Sequence, residues 1–287
     1  MKKVSLVLSG GGARGIAHIG VLEALEKQGY EIHAITGTSM GALVGGIYAA
    51  GKIKEFKKWM LNLNKIDVFK LLDFTLLMSG FIKGEKVFDE LSNFIKDCQI
   101  EDLPIKFCAT ATDLTYKKEV LFTKGSLYDA MRASIAIPNV ITAVAKEGSI
   151  LVDGGVINNI PINHAQRIDN DLLIAVNVNA DIPMPKKKEK EGKQTSFYQN
   201  TIDQFNKKLN ELFSINKNNL NYFDIMSASF EIMRNEMVKL TLKNTPPDIL
   251  IETSHESCSV YDFYKADELI KIGYEATMQS INNYSKS

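Results

Sequence analysis

Val4-Ser5-Leu6-Val7-Leu8-Ser9-Gly10-Gly11-Gly12-Ala13-Arg14-Gly15 is the stretch on which the fold of this chain is read. Val4–Leu8 is a short apolar run that glycines end after five residues, as a buried strand would be ended. Gly10–Gly15 satisfies G-x-G-x-x-G. From there Ile16, Ile19, Leu22 and Leu25 recur at helical spacing with charge opposite, and Gly29 stands where a helix C-terminal glycine belongs. Strand, glycine turn and helix in this order open a right-handed βαβ unit.

The same grammar repeats downstream. His33–Thr36 reads as a second strand, Gly37-Thr38-Ser39-Met40-Gly41 as its turn, and Ala42–Ala50 as a buried helix. Ile105–Ala111, Glu119–Phe122, Ile150–Val152 and Leu172–Val178 read as further strands. Together they predict a largely parallel sheet covered by helices. After Asp181 the composition shifts. Pro183 and Pro185 lead into the lysine-rich run 186–193, read as a solvated loop. An amphipathic helix is expected from Phe197 through Leu212, then a last strand at Asp248–Glu252 and a closing helix over Tyr264–Ile281.

Composition excludes several classes. The 287 residues carry 34 basic and 34 acidic side chains, whereas a dedicated nucleic-acid binder normally carries a basic excess. Cys98, Cys108 and Cys258 have no paired spacing, so neither a disulfide framework nor a metal site is expected. Lys2-Lys3 and the apolar run imitate a signal peptide, but an h-region needs about 7–15 residues. The uncharged stretch Ile32–Gly51 contains five glycines and reads poorly as a membrane span. A soluble, cytoplasmic protein is the expectation. The zero charge is an average over unlike parts, since residues 51–70 hold six lysines against two acids.

The glycine motifs carry the chemistry. A dinucleotide fingerprint calls for Asp or Glu about 20 residues beyond Gly10–Gly15, where Ile35-Thr36-Gly37-Thr38 offers none. A phosphate loop calls for Lys-Ser/Thr where Ile16-Ala17 stands. A plain tight turn, or an anion site at a helix N-terminus, stays open. Gly37–Gly41 matches G-x-S-x-G between a strand and a helix, the setting in which a strained serine projects its Oγ. A bystander serine in a glycine turn is the bland alternative. Such a serine needs a base. His18 and His33 read as packing residues, and His164 and His255 as weak triad candidates. Asp153 ends the apolar Ile150-Leu151-Val152 and precedes Gly154-Gly155, so its carboxylate leaves a strand at a glycine turn. That is the position of a ligand-binding residue at the carboxyl edge of a parallel sheet, although a surface aspartate is an equal reading.

Taken jointly, Gly10–Gly15, Gly37–Gly41 and Asp153-Gly154-Gly155 resemble the three signatures of the patatin-like phospholipases. Ala17–Leu22, Gly80-Phe81-Ile82-Lys83-Gly84 and Ala133-Ser134-Ile135-Ala136-Ile137-Pro138 resemble its flanking blocks, and Gly273-Tyr274-Glu275-Ala276 its bacterial, neuropathy-target-esterase-like branch. The resemblance implies a three-layer α/β/α patatin-like fold around a central, mostly parallel sheet. The catalytic domain would span 4–180, with 181–287 as a C-terminal extension. It further implies a serine acyl hydrolase of phospholipid or lysophospholipid esters, with Ser39 as nucleophile and Asp153 as base. Gly37, Thr38, Met40 and Gly41 would complete the nucleophile elbow. Backbone N–H groups of Gly10, Gly11, Gly12, Ala13 and Arg14 would form the oxyanion hole. Neither a metal nor an organic cofactor is implied. The rivals are a catalytically silent lipid-binding or regulatory module and a nucleotide-binding oxidoreductase.

Phe56, Trp59, Met60 and Leu63 share one face of the basic segment 52–70. That face either packs on the sheet or lies in a membrane interface. Residues 197–215 invite the same two readings, with a lid somewhere in 186–240 as a third.

Overall fold

The computed structural model describes residues 2–71, 84–138, 140–184 and 222–286. The block 80–83, the lysine run and the expected helix at 197–212 lie outside the described residues, as does most of the possible lid. Eight strands form one sheet in the order β5-β6-β3-β2-β1-β7-β8, with β4 pairing β3. They are β1 (Lys2–Leu8), β2 (Tyr30–Thr38), β3 (Lys106–Asp113), β4 (Lys118–Phe122), β5 (Val144–Lys146), β6 (Ser149–Asp153), β7 (Leu172–Ala180) and β8 (Ile249–Ser254). The five strands from β3 to β8 through β1 pair in parallel, while β4, β5 and β6 join antiparallel at one side. The expected sheet is thus mostly parallel, as the βαβ reading required.

Alternation along the strands builds two cores. Leu6 and Leu8 of β1 and Ile174, Val176 and Val178 of β7 face one side. There they meet α1 (Ala17–Lys27), α2 (Met40–Ala49), α3 (Ile53–Asn62), α6 (Leu127–Ser134) and α8 (Ala266–Tyr284). Val7, Leu173 and Ala175 face the other side, covered by Ile160, Ile162 and Val238. Val238 belongs to α7 (Tyr222–Asn244), so helix lies on both faces of the sheet. Two shorter helices, α4 (Lys65–Leu71) and α5 (Glu85–Ser92), follow α3 along the chain.

Residues 222–286 are built into the same body. β8 extends the sheet beside β7, and α8 lies along α1. The α1–α8 contact explains the 273–276 block. A methyl on Gly273 would overlap the Ala17 carbonyl oxygen, and one on Gly20 the Ile270 carbonyl oxygen, so only glycines let these backbones approach. The 23-residue α7 was not anticipated, because large apolar side chains stand on its exposed face while Glu231 and Arg234 are partly buried, which blurs the helical pattern.

Candidate active site

The parallel register sets the site before any side chain is considered. Leu8 pairs with Gly37 and Thr38 with Thr110, so the turns after β1 and β2 emerge side by side. At the second turn Ser39 takes φ 55° and ψ −125°, a strained conformation for a residue with a Cβ. The turn closes only because its flanks are glycine. A methyl on Gly37 would lie 2.6 Å from the Ala42 nitrogen, and one on Gly41 would overlap the Leu8 carbonyl oxygen. Thr38 is buried and pinned from below, its Oγ1 lying 2.7 Å from Thr110 Oγ1 and donating to the Asn158 carbonyl at 2.9 Å.

Asp153 arrives from the opposite direction. It was expected at the carboxyl end of a parallel strand, yet β6 runs antiparallel to β3, with Ala111 opposite Asp153. β3 continues three residues past Thr110, and β6 returns along that overhang to bring Asp153 level with the serine turn. Asp153 is 5% exposed and Ser39 4%. Asp153 Oδ1 accepts from the Gly155 N–H at 2.7 Å. Oδ2 is buried and makes no well-formed hydrogen bond, although the Ser39 hydroxyl is close enough to pull the carboxyl pKa down. Burial outweighs that pull, the Gly155 amide and the Arg234 charge, and lifts Asp153 from 3.8 to about 6. Gly154 packs on Thr110 with no room for a side chain.

One segment holds both residues. The Ser39 N–H donates to Ser134 Oγ at 2.8 Å, and the Asp153 N–H donates to the Ala136 carbonyl at 2.9 Å. The block 133–138 thereby sets the spacing of the pair, a role its sequence did not disclose.

The glycine loop lies against the serine, since a methyl on Gly10 would fall 3.0 Å from Ser39 Cβ. Of its amides, Gly10 donates to the Asn159 carbonyl at 3.0 Å and Ala13 to the Val260 carbonyl at 2.9 Å. Among the described residues, the N–H groups of Gly11 and Gly12 have no acceptor, and both glycines line the cavity over Ser39. Asn179 Nδ2 fixes the loop by donating to the Gly10 carbonyl at 2.6 Å. Below it, buried His18 bonds the Ser9 carbonyl at 2.8 Å, and burial drives its pKa to about 4, so it stays neutral.

Ser39 and Asp153 open into a cavity of about 370 Å³. Phe56, Trp59, Met60 and Leu63, the apolar face noted in the basic segment, form part of its wall. That face is therefore turned inward, with Trp59 packed at a tilt between Phe56 and Phe94, ring centroids 5.7 and 6.2 Å apart. From the other side α7 contributes Met226, Phe230, Glu231 and Arg234. Neither of the two histidines weighed as a triad base lines the cavity. His164 pairs with Glu119 at 2.7 Å, and His255 lies 3.2 Å from the Ala180 carbonyl. Among the described residues no cluster of side chains could hold a metal ion, and no helix is long and apolar enough to cross a membrane.

Comparison with known proteins gives the chain a family. A family model described as patatin-like phospholipase matches residues 6–165, more than half of the chain. The chain therefore belongs to the patatin-like phospholipase family, a class of lipid ester hydrolases. Within it the chain falls in the NTE-like branch. An uncharacterized NTE family protein of Mycobacterium tuberculosis is 30% identical, across 98% of this chain and 92% of that one. Lysophospholipase nte1 of Aspergillus niger is 29% identical across 95% of this chain, which spans only 18% of that longer protein. The crystal structure of VipD from Legionella pneumophila aligns with a TM-score of 0.51 at 15% identity, over 99% of this chain and 67% of that one, a likeness of fold.

Proposed function

We propose that this protein cleaves the carboxylic esters of phospholipids or lysophospholipids through a Ser39–Asp153 dyad. The observation that carries the reading is the meeting of a strained serine, a buried carboxylate and two unengaged backbone amides at one apolar cavity. Asp153 takes the Ser39 proton as Oγ attacks the ester carbonyl. The N–H groups of Gly11 and Gly12 receive the oxyanion. Collapse of the tetrahedral intermediate returns the proton to the leaving alcohol and leaves the acyl group on Ser39. Asp153 then deprotonates a water that attacks the acyl-enzyme, releasing the fatty acid and restoring the serine. A carboxyl with a pKa near 6 is a better base than an ordinary aspartate and is still mostly ionised at neutral pH. The apolar wall of α3 suits an acyl chain. The lipid surface is met at the outward side of α7, whose exposed Met226 continues into the cavity lining.

A fluorophosphonate probe tests the nucleophile. Wild-type protein is expected to label and the Ser39→Ala variant not to. Ester turnover by Asp153→Asn is expected to fall by about a thousandfold or more. Unlabelled wild type beside a labelled control lipase would favour the silent lipid-binding module. Full activity in Asp153→Asn would remove the aspartate from the mechanism.

A further inference from the structure

α7 turns two charged side chains into the cavity beside Met226 and Phe230, and those charges are poorly matched. Arg234 and Glu231 both line the cavity. Glu231 is the carboxylate nearest to two guanidinium groups, at 3.8 Å from Arg234 and 3.6 Å from Arg14, both beyond hydrogen-bond length. Arg234 Nε is buried without a hydrogen-bond partner, as are Nε and Nη1 of Arg14. Leaving such donors unsatisfied is expensive, and more so for charged groups. Burial pushes the Arg234 guanidinium down from its ordinary value, with Glu231 and Asp153 opposing. Packing does not account for the residue. Its ion partner sits one turn earlier on the same helix and is shared with Arg14 of the glycine loop, so one carboxylate answers two guanidiniums.

The charge balance points to an anion. Two guanidiniums against Glu231 leave one positive charge, and the remaining carboxylate is Asp153, which makes no hydrogen bond to Arg234. When Asp153 takes the serine proton, that positive charge is left uncompensated at the polar end of an otherwise apolar cavity. A phosphodiester offers two charged oxygens in the geometry that a guanidinium fork binds best.

We propose that Arg234 is the specificity-determining residue that receives the phosphate of the substrate headgroup, so that the cavity selects phosphate-bearing lipids over neutral glycerides. The inference rests on the hydrolase reading above and deepens it. It is tested by binding rather than turnover, so the two can fail separately. Calorimetry on Ser39→Ala protein, below micellar concentrations, compares dodecylphosphocholine, monolauroylglycerol and inorganic phosphate. Adding Arg234→Gln is expected to weaken dodecylphosphocholine at least tenfold and monolauroylglycerol less than threefold. Arg234→Lys, which keeps the charge and loses the fork, is expected to fall between, and its melting temperature checks the fold. Equal weakening of both lipids, or of neither, overturns the proposal. Inorganic phosphate binding as tightly as dodecylphosphocholine also overturns it, since the site would then serve free phosphate. Loss of fluorophosphonate labelling from wild type would instead remove the hydrolase reading.

Discussion

Helices α3 and α7 wall the same cavity and are built in opposite senses. α3 turns Phe56 and Met60 inward and leaves its lysines outside, where Lys57 pairs with Glu23 at 2.6 Å. α7 turns Glu231 and Arg234 inward and exposes Ile225, Met226, Ile232, Met233 and Leu240, with Ile232 at 65%. α3 follows the ordinary rule that an amphipathic helix buries its apolar stripe. α7 departs from it, since its outward face mixes these large apolar side chains with the exposed Glu236–Lys239 pair. The difference teaches that hydrophobic patterning foretells orientation where a helix serves the core. It misleads on α7, which turns two charged side chains toward a cavity and leaves large apolar side chains outside.

The widest separation between the two helices is expected in folding stability. Phe56 is fully buried, so Phe56→Ala removes both transfer energy and packing contacts. Urea unfolding is expected to show a loss of about 3–5 kcal/mol. A loss below about 1 kcal/mol would mean that the α3 wall is dispensable to the fold, and the contrast with α7 would collapse.

Asp153 lies between the two walls and reads out their balance. Burial raises its pKa to about 6, while Arg234 of α7 is among the groups pulling it down. Because the folded state holds this proton more tightly than the unfolded chain, the associated stability is complete below 3.8 and is lost as pH rises through about 6. Near neutrality the buried charge therefore costs about 3 kcal/mol, to order of magnitude. Asp153→Asn keeps an acceptor for the Gly155 amide and removes that cost. It is expected to melt several degrees higher than wild type at pH 7.5, with the gain shrinking as pH falls through 6. Wild-type ester hydrolysis is expected to rise with pH through about 6, and Arg234→Gln to move that limb upward. A variant no more stable than wild type at pH 7.5 would show the carboxylate to be better solvated than its burial implies.

How much of this was legible follows from where the information lies. Strand, glycine turn and helix are local patterns, so β1, β2 and the Ser39 elbow could be read directly. Asp153 was legible as a carboxylate at a strand end, but not the antiparallel return of β6, because pairing direction is fixed by distant partners. Ser134 and Ala136 stood in a visible block, yet nothing local says that they bond the backbones of Ser39 and Asp153. Asn159, Asn179 and Val260 hold the glycine loop through contacts more than a hundred residues apart in sequence. Arg234 gave no signal at all. A lone arginine among exposed methionines and isoleucines reads as surface until the cavity beneath it is seen.

The smallest expected effect bears on the outward side of α7. Ile232 and Met233 are both more than half exposed, so replacing them with aspartate removes little that the fold uses. The stability of the Ile232→Asp, Met233→Asp double variant is expected to stay within about 0.5 kcal/mol of wild type. If these two side chains rest in a bilayer, each contributes a fraction of its apolar transfer energy there, since only part of its surface enters the lipid. Together with the repulsion of two carboxylates from acyl chains, the double change is expected to weaken co-sedimentation with phosphatidylcholine vesicles about tenfold, or about 1.4 kcal/mol. Lys54 and Lys58 on the outer face of α3 provide the matched control, and their substitution by glutamine is expected to leave the same binding unchanged. Undiminished vesicle binding by the double variant would leave these exposed side chains without a lipid role. Loss of binding in the lysine variants instead would move the membrane contact back to the basic helix.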